Sequence, residues 1–347
     1  LKIQGGKDMI DTIRMNINEY ELNTPISFLE EVSCKIRVDR RKSRGNRVVG
    51  WLDNMKVDIK NKRLTLEGSL SKWMNGHNVY GMEFGQIKEA IDRLGERLGF
   101  SLYNARVTRI DIAQTFKMEC KVPEYLKRLH YMEGFNNFAF NAHCRYFEED
   151  IKYPELQMCF YDKVKERVEK KERKKIMQYD WDRQQDFLDK NMLLDANLLR
   201  YELRILKVRN VFHRKITCLD LFSGDFYGEL VELWSDMYEK VEKHFDLSEL
   251  AVMQDWNGIS QLKQNCLELC MIAIPSEITN EIEKGFKEGK VSAQNKSNAL
   301  KLVRKIREEV KKKYAKASLV DELNAKIENE FKNQVVSIEM HDYPLPR

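Results

Sequence analysis

The sequence predicts an α+β fold, a mainly antiparallel sheet with helices on one face, followed by a mostly α-helical C-terminal region. Three observations predict it. Segments with the two-residue period of half-buried strands recur through the first part of the chain. Between two of them lies a segment with the three-and-four spacing of an amphipathic helix. Beyond residue 215, helical periodicity replaces alternation.

The first strand is Met9 to Ile17, where Ile13, Met15 and Ile17 alternate with Thr12, Arg14 and Asn16. Arg63 to Glu67 alternates likewise, Leu64 and Leu66 against Arg63, Thr65 and Glu67. Phe84, Ile87, Ile91, Leu94 and Leu98 form one helical stripe. The strand at Val107 to Gln114 follows, with Ile110 and Ile112 on one face and Arg109 and Asp111 on the other. A strand, crossover helix and strand are therefore expected here. A short helix near 123–130 leads to Leu156–Tyr161, in which Leu156, Met158 and Phe160 oppose Gln157, Cys159 and Tyr161. A charged helical insertion is expected near 164–190. Leu199 to Ile205 then separates Leu199, Tyr201, Leu203 and Ile205 from Arg200, Glu202 and Arg204. In the C-terminal region, Leu300, Val303, Ile306, Val310 and Tyr314 make one stripe, and Gly285 and Gly289 suggest a turn between helices within 276–296.

Composition narrows the function classes. The 347 residues are 42% hydrophobic, enough for a real core. The seven cysteines form no CxxC pair, so neither a disulfide framework nor a zinc knuckle is implied. No apolar run approaches ~18 residues and no secretory signal is read at the start, so neither membrane insertion nor secretion is expected. No GxxxxGK[ST] run is present, and ATP hydrolysis is not expected. The net charge is only +5, but cations cluster: eight Lys/Arg against three Glu from Lys163 to Lys175, and nine against Glu308 and Glu309 from Lys296 to Lys316. Such runs serve as phosphate-backbone footprints or as solvated helix faces.

If these strands share one sheet, its polar face collects Glu67, Asp111, Glu202, Tyr161, Arg109, Arg200 and Arg204. Paired carboxylates suit Mg²⁺ or Mn²⁺, and a tyrosine beside such an ion can attack a phosphodiester. Ordinary cross-strand salt bridges would build the same face. Periodicity does not choose between the two.

Resemblance adds to that reading. Gly76-His77-Asn78-Val79-Tyr80-Gly81 resembles a GHNVFG segment of the filamentous-phage gene II/gene X replication initiation family, which is related to trans-acting plasmid initiators. Val107 to Ala113 (VTRIDIA), Phe160 to Glu166 (FYDKVKE) and Leu198 to Ile205 (LLRYELRI) resemble three further segments of that family, in the same order. Met9-Ile10-Asp11 resembles its initiator segment. The matches span about 9–206, and nothing residue-specific carries into 215–335.

The resemblance implies a rolling-circle replication initiator. It would nick one strand at a DNA origin through a 5′-phosphotyrosine, leave a 3′-OH primer and rejoin the displaced strand. A relaxase of a mobile element with the same chemistry, or a non-catalytic origin-binding protein, is the alternative. Tyr161 matches the nucleophile, with Lys163 and His77 as catalytic companions. Asp111 and Glu202 match acidic positions resembling metal ligands, with Glu67 as third; the family's glutamate falls two positions away unless a gap is allowed. Arg109, Arg200, Arg204 and Lys165 are the expected DNA contacts, with Arg304 and Lys305 added from the 296–316 charge run. None of the six histidines forms the His-hydrophobe-His pair of other rolling-circle nickases, so a mostly carboxylate site is implied. The expected cofactor is Mg²⁺ or Mn²⁺. The expected partners are double- and single-stranded origin DNA and the host helicase and polymerase, in the cytoplasm of a bacterial cell. The organisation implied is a catalytic nickase domain over 9–210, a helical, basic accessory or DNA-binding region over 215–335, and tails at 1–8 and 336–347.

Overall fold

The computed structural model describes residues 7–22, 26–166, 178–243, 258–260, 263, 266–267, 270, 275–313 and 319–340. Its centre is a ten-stranded, wholly antiparallel sheet. In chain order its main strands are β1 (Ile10–Asn18), β2 (Arg47–Leu52), β3 (Met55–Lys60), β4 (Arg63–Ser69), β5 (Arg106–Lys117), β6 (Phe135–Asn141), β7 (Cys144–Glu149), β8 (Leu156–Asp162) and β9 (Leu198–Ile205). The spatial order is β6-β7-β8-β9-β5-β1-β4-β3-β2, closed by the short strand Arg37–Val38. All the strands expected from alternation pair within this sheet.

The helices are α1 (Leu70–Asn75), α2 (Phe84–Leu98), α3 (Val122–Leu126), α4 (Gln178–Lys190), α5 (Gly224–Glu239), α6 (Pro275–Lys287), α7 (Ala293–Lys313) and α8 (Leu319–Met340). Helix α2 connects β4 to β5, which flank β1 on either side. Its stripe residues Ile87, Ile91, Leu94 and Leu98 are fully buried in the same cluster as Ile13, Leu66 and Ile112. Helices α5 and α8 cover another part of the apolar face. The Tyr201 ring stacks on Trp234 at 4.8 Å, and its hydroxyl donates to the Trp234 carbonyl at 2.9 Å. Met9 N–H donates to the Tyr227 hydroxyl at 2.9 Å, which donates onward to Gln334 Oε1 at 2.7 Å. The C-terminal region is thus helical as expected, and two of its helices join the core of the sheet.

Several local expectations change. Residues 275–287 are helix, and the turn between α6 and α7 is confined to 288–292, where Gly289 takes φ 72°. Gly285 is a helical residue, not part of that turn. Lys7–Asp8 pairs with Met82–Glu83 rather than lying outside the fold. Val303 and Ile306 of the α7 stripe are buried, while the side chain of Val310 and all of Tyr314 lie outside what is described. Residues 336–340, expected as tail, are the last turn of α8, while 341–347 and most of the 163–175 charge run lie outside the described residues. Among the described residues no helix is long and apolar enough to cross a membrane.

Candidate active site

The polar face of the sheet forms a cleft of about 500 Å³, lined by Tyr161, Glu202, Arg204, Asp111, Arg109 and Glu67 together with Asp11, Ser69 and Asn78. Cross-strand register brings these groups together. Tyr161 lies opposite Arg200, Cys159 opposite Glu202, and Arg204 opposite Asp111. Positions 200, 202 and 204 share one face because side chains alternate along a strand. Opposite them, Leu199, Tyr201 and Leu203 are fully buried in the core.

Tyr161 sits at the cleft floor, 6% exposed, and its hydroxyl donates to Glu202 Oε2 at 3.0 Å. Burial first, then the Glu202 carboxylate, hold the phenol well above the ordinary tyrosine range, while Arg200 pulls the other way. Glu202 Oε1 accepts from Arg204 Nε at 2.5 Å, and Arg204 also donates to the Tyr146 hydroxyl and to Gln157 Oε1. Asp111 is 2% exposed and accepts a two-pronged pair from Arg109, at 2.7 and 2.6 Å. Burial, with the nearby Glu202 charge, nevertheless pushes its carboxyl up to about 7, against the pull of Arg109.

Glu67 stands on the far side of Arg109, 3.4 Å from it and 3.8 Å from Arg14. It reaches the cleft without joining the other two carboxylates. Among the described residues no group of three or more His, Cys, Asp or Glu is close enough to hold an ion unaided. The donor set still fits Mg²⁺ or Mn²⁺, because Mg²⁺ is commonly held by one or two carboxylates, waters and substrate phosphate.

A carboxylate that the sequence did not mark as part of the site completes the floor. Ile10 lies opposite Ile112 and Thr12 opposite Asp111, so Asp11 is the extra residue of a β-bulge. The bulge sends Asp11 to the polar face beside Thr12. There its carboxylate accepts from Arg200 Nη2 at 2.7 Å, Ser69 Oγ at 2.5 Å and Asn78 Nδ2 at 3.0 Å. The signal was present: buried Ile10 and Ile13 are three apart in a strand otherwise of period two.

Arg200 is 1% exposed and also donates to the Asn78 carbonyl at 2.9 Å and Thr115 Oγ1 at 3.2 Å. Its Nε, which has no hydrogen-bond acceptor, lies 3.6 Å from Glu202 Oε2. The guanidinium therefore lies beneath the cleft as an internal anchor. Lys163, 4% exposed at the start of the helical residues 163–166 after β8, donates to Asn78 Oδ1 at 3.1 Å and lies 5.6 Å from the Tyr161 ring centre. Burial, then the Arg200 and Lys72 charges, depress its pKa well below the ordinary lysine value.

His77 is turned away. Gly76, at φ 76°, ends α1, and the His77 ring stacks on Phe187 of α4 at 3.5 Å, outside the cleft lining. Its neighbour Asn78 enters the cleft instead. The histidine that reaches it is His143, with Nδ1 3.6 Å from Asp162. Lys165 is exposed beside the cleft turn, and Arg304 and Lys305 are exposed on α7, apart from the cleft.

Fold and site together define an antiparallel-sheet protein with a phenol, three buried carboxylates and a set of arginines in one cleft. The sequence profile of a phage family, described as the N-terminal part of the gene II replication-associated protein, matches residues 9–217, and the chain belongs to that family. A solved structure, the rolling circle replication initiator protein from Geobacillus stearothermophilus, is similar at 13% identity and a TM-score of 0.35, over 75% of this chain and 95% of that one. A search of curated proteins returns no match.

Proposed function

We propose that the protein initiates rolling-circle replication by nicking one strand at a DNA origin, with Tyr161 as nucleophile. The observation that carries this reading is the Tyr161 phenol, hydrogen-bonded to Glu202 at the floor of an open cleft within the family-matched segment. The phenol oxygen attacks the scissile phosphorus as its proton passes to Glu202 Oε2. The bond from phosphorus to the 3′-oxygen breaks, the 3′-oxygen takes up a proton from water, and the 5′-phosphate stays on Tyr161. Reversal by an incoming 3′-OH rejoins the displaced strand.

Arg200 lies where it favours the phenolate over the phenol. The Lys163 amine lies beside the ring, where an incoming phosphate would favour its protonated form. Arg109 and Arg204 orient the two carboxylates and line the path of the phosphate backbone, with Lys165, Arg304 and Lys305 as outer phosphate contacts. Asp111 and Glu202 would hold Mg²⁺ or Mn²⁺, which supplies charge withdrawal from the phosphoryl oxygens when bound. In a bacterial cytoplasm the 3′-OH would serve host polymerase, with a host helicase separating the strands.

Conversion of a supercoiled origin plasmid to open circles in Mg²⁺ tests this. Wild type is expected to nick and Tyr161→Phe to lose nicking. Undiminished nicking by Tyr161→Phe refutes the nucleophile, and undiminished metal-dependent nicking by both Asp111→Asn and Glu202→Gln refutes the ligands.

A further inference from the structure

One side chain on the polar face of the sheet is out of keeping with its surroundings. Trp51, on β2, lies opposite Lys56, which lies opposite Glu67 of β4. Its indole lines the same cleft as Tyr161, among Asn54, Lys56 and Glu67. It is half-buried, belongs to neither hydrophobic cluster, and makes no hydrogen bond or ring contact among the described residues. An indole buries much apolar area when it packs in a core and ordinarily bonds its N–H there. Here it does neither.

Gly50 and Leu52, its neighbours in the strand, are buried, so the backbone at Trp51 is held firmly. A side chain added at Gly50 would put its Cβ 2.7 Å from the Arg37 carbonyl, so β2 is pressed against the Arg37–Val38 strand. The indole is thus presented into the cleft from a fixed edge, with the Lys56 ammonium on the adjacent strand. An aromatic face beside a cation is the arrangement that binds single-stranded nucleic acid, the ring stacking on a base and the cation meeting its phosphate.

We propose that Trp51 is a base-stacking platform for one unpaired nucleotide of the strand that enters the cleft, with Lys56 on that nucleotide's phosphate. This rests on the reading of the cleft as a DNA site. It assigns Trp51 to unpaired bases, whose faces are open to it, rather than to duplex, whose bases are stacked on one another. Stacking is tolerant of base identity, so Trp51 contributes affinity without sequence preference.

The test uses the full chain carrying Tyr161→Phe, which cannot cleave, and measures binding to a fluorescent oligothymidylate and to an abasic strand of equal length. Trp51→Leu is expected to weaken oligothymidylate binding about tenfold and leave abasic binding within about twofold of the parent, so that base preference falls. Trp51→Phe is expected to restore most of it. Lys56→Gln is expected to weaken both strands alike and reduce the salt slope by about 0.7. Equal loss on both strands with Trp51→Leu, no loss on either, or no recovery with Trp51→Phe would overturn the platform while leaving the DNA reading intact. A parent that binds neither strand would overturn both.

Discussion

Replacing Arg200 with methionine removes a guanidinium that is 1% exposed and leaves the Asp11 carboxylate, itself 5% exposed, without its cationic partner. The Asn78 carbonyl and Thr115 Oγ1 lose a donor as well. Breaking a buried ion pair on one side costs about 3–5 kcal/mol, because the remaining charge stays desolvated. Ser69 and Asn78 still donate to Asp11, which puts the expected loss near the lower end, about 3 kcal/mol. At about 2–4 °C per kcal/mol for a unit of this size, the melting temperature should fall by roughly 10 °C. The pair Asp11→Leu/Arg200→Met removes both charges, and such replacements are often neutral. It is therefore expected to melt higher than Arg200→Met alone. Thermal unfolding of the four proteins completes the cycle. A loss under about 1 kcal/mol for Arg200→Met, or additive effects in the pair, would show that Arg200 does not anchor Asp11.

Further outcomes follow from the same cleft. Asp111, with its carboxyl pushed up to about 7, holds its proton more tightly folded than unfolded. The stability this lends is complete below about pH 4 and lost as pH rises through about 7. Wild-type melting temperature should therefore decline across that window more steeply than that of Asp111→Asn, and parallel curves would contradict the shift. Mg²⁺ or Mn²⁺ at about ten times its dissociation constant should stabilise wild type by about 1.4 kcal/mol. Asp111→Asn and Glu202→Gln should show no such gain, and an equal gain in both would move the ion elsewhere. Lys163→Met should slow nicking about 10²-fold at saturating DNA with DNA affinity unchanged, and an unaltered rate would remove Lys163 from the chemistry.

Much of the fold was legible because the strands that matter most are half-buried. Alternation in 107–114, 156–161 and 199–205 put Ile110, Ile112, Met158, Phe160, Tyr201 and Leu203 on the core face, and the register brings Tyr161, Glu202 and Asp111 to the other. Strands that obey other constraints stayed hidden. In β2, Val48 and Val49 are adjacent and Gly50 is needed for close approach to Arg37, which breaks the period. Among the described side chains of the edge hairpin of β6 and β7, Phe147 alone is fully buried. Asp11 was missed because a bulge shifts its face. Arg200 was given the right face and the wrong depth, since the segment that covers it, around Asn78, is remote in sequence. His77 drew attention for its chemistry, but stacking on Phe187 decides its orientation and leaves Asn78 in the cleft.

The chemistry proposed for Tyr161 is tested most directly by trapping the protein on a suicide origin oligonucleotide in Mn²⁺, digesting the complex and sequencing the adduct by mass spectrometry. A 5′-phosphorylated nucleotide bonded to the peptide containing Tyr161 is the expected result. An adduct on another residue, or cleavage by wild type with no covalent species at any point, would contradict it.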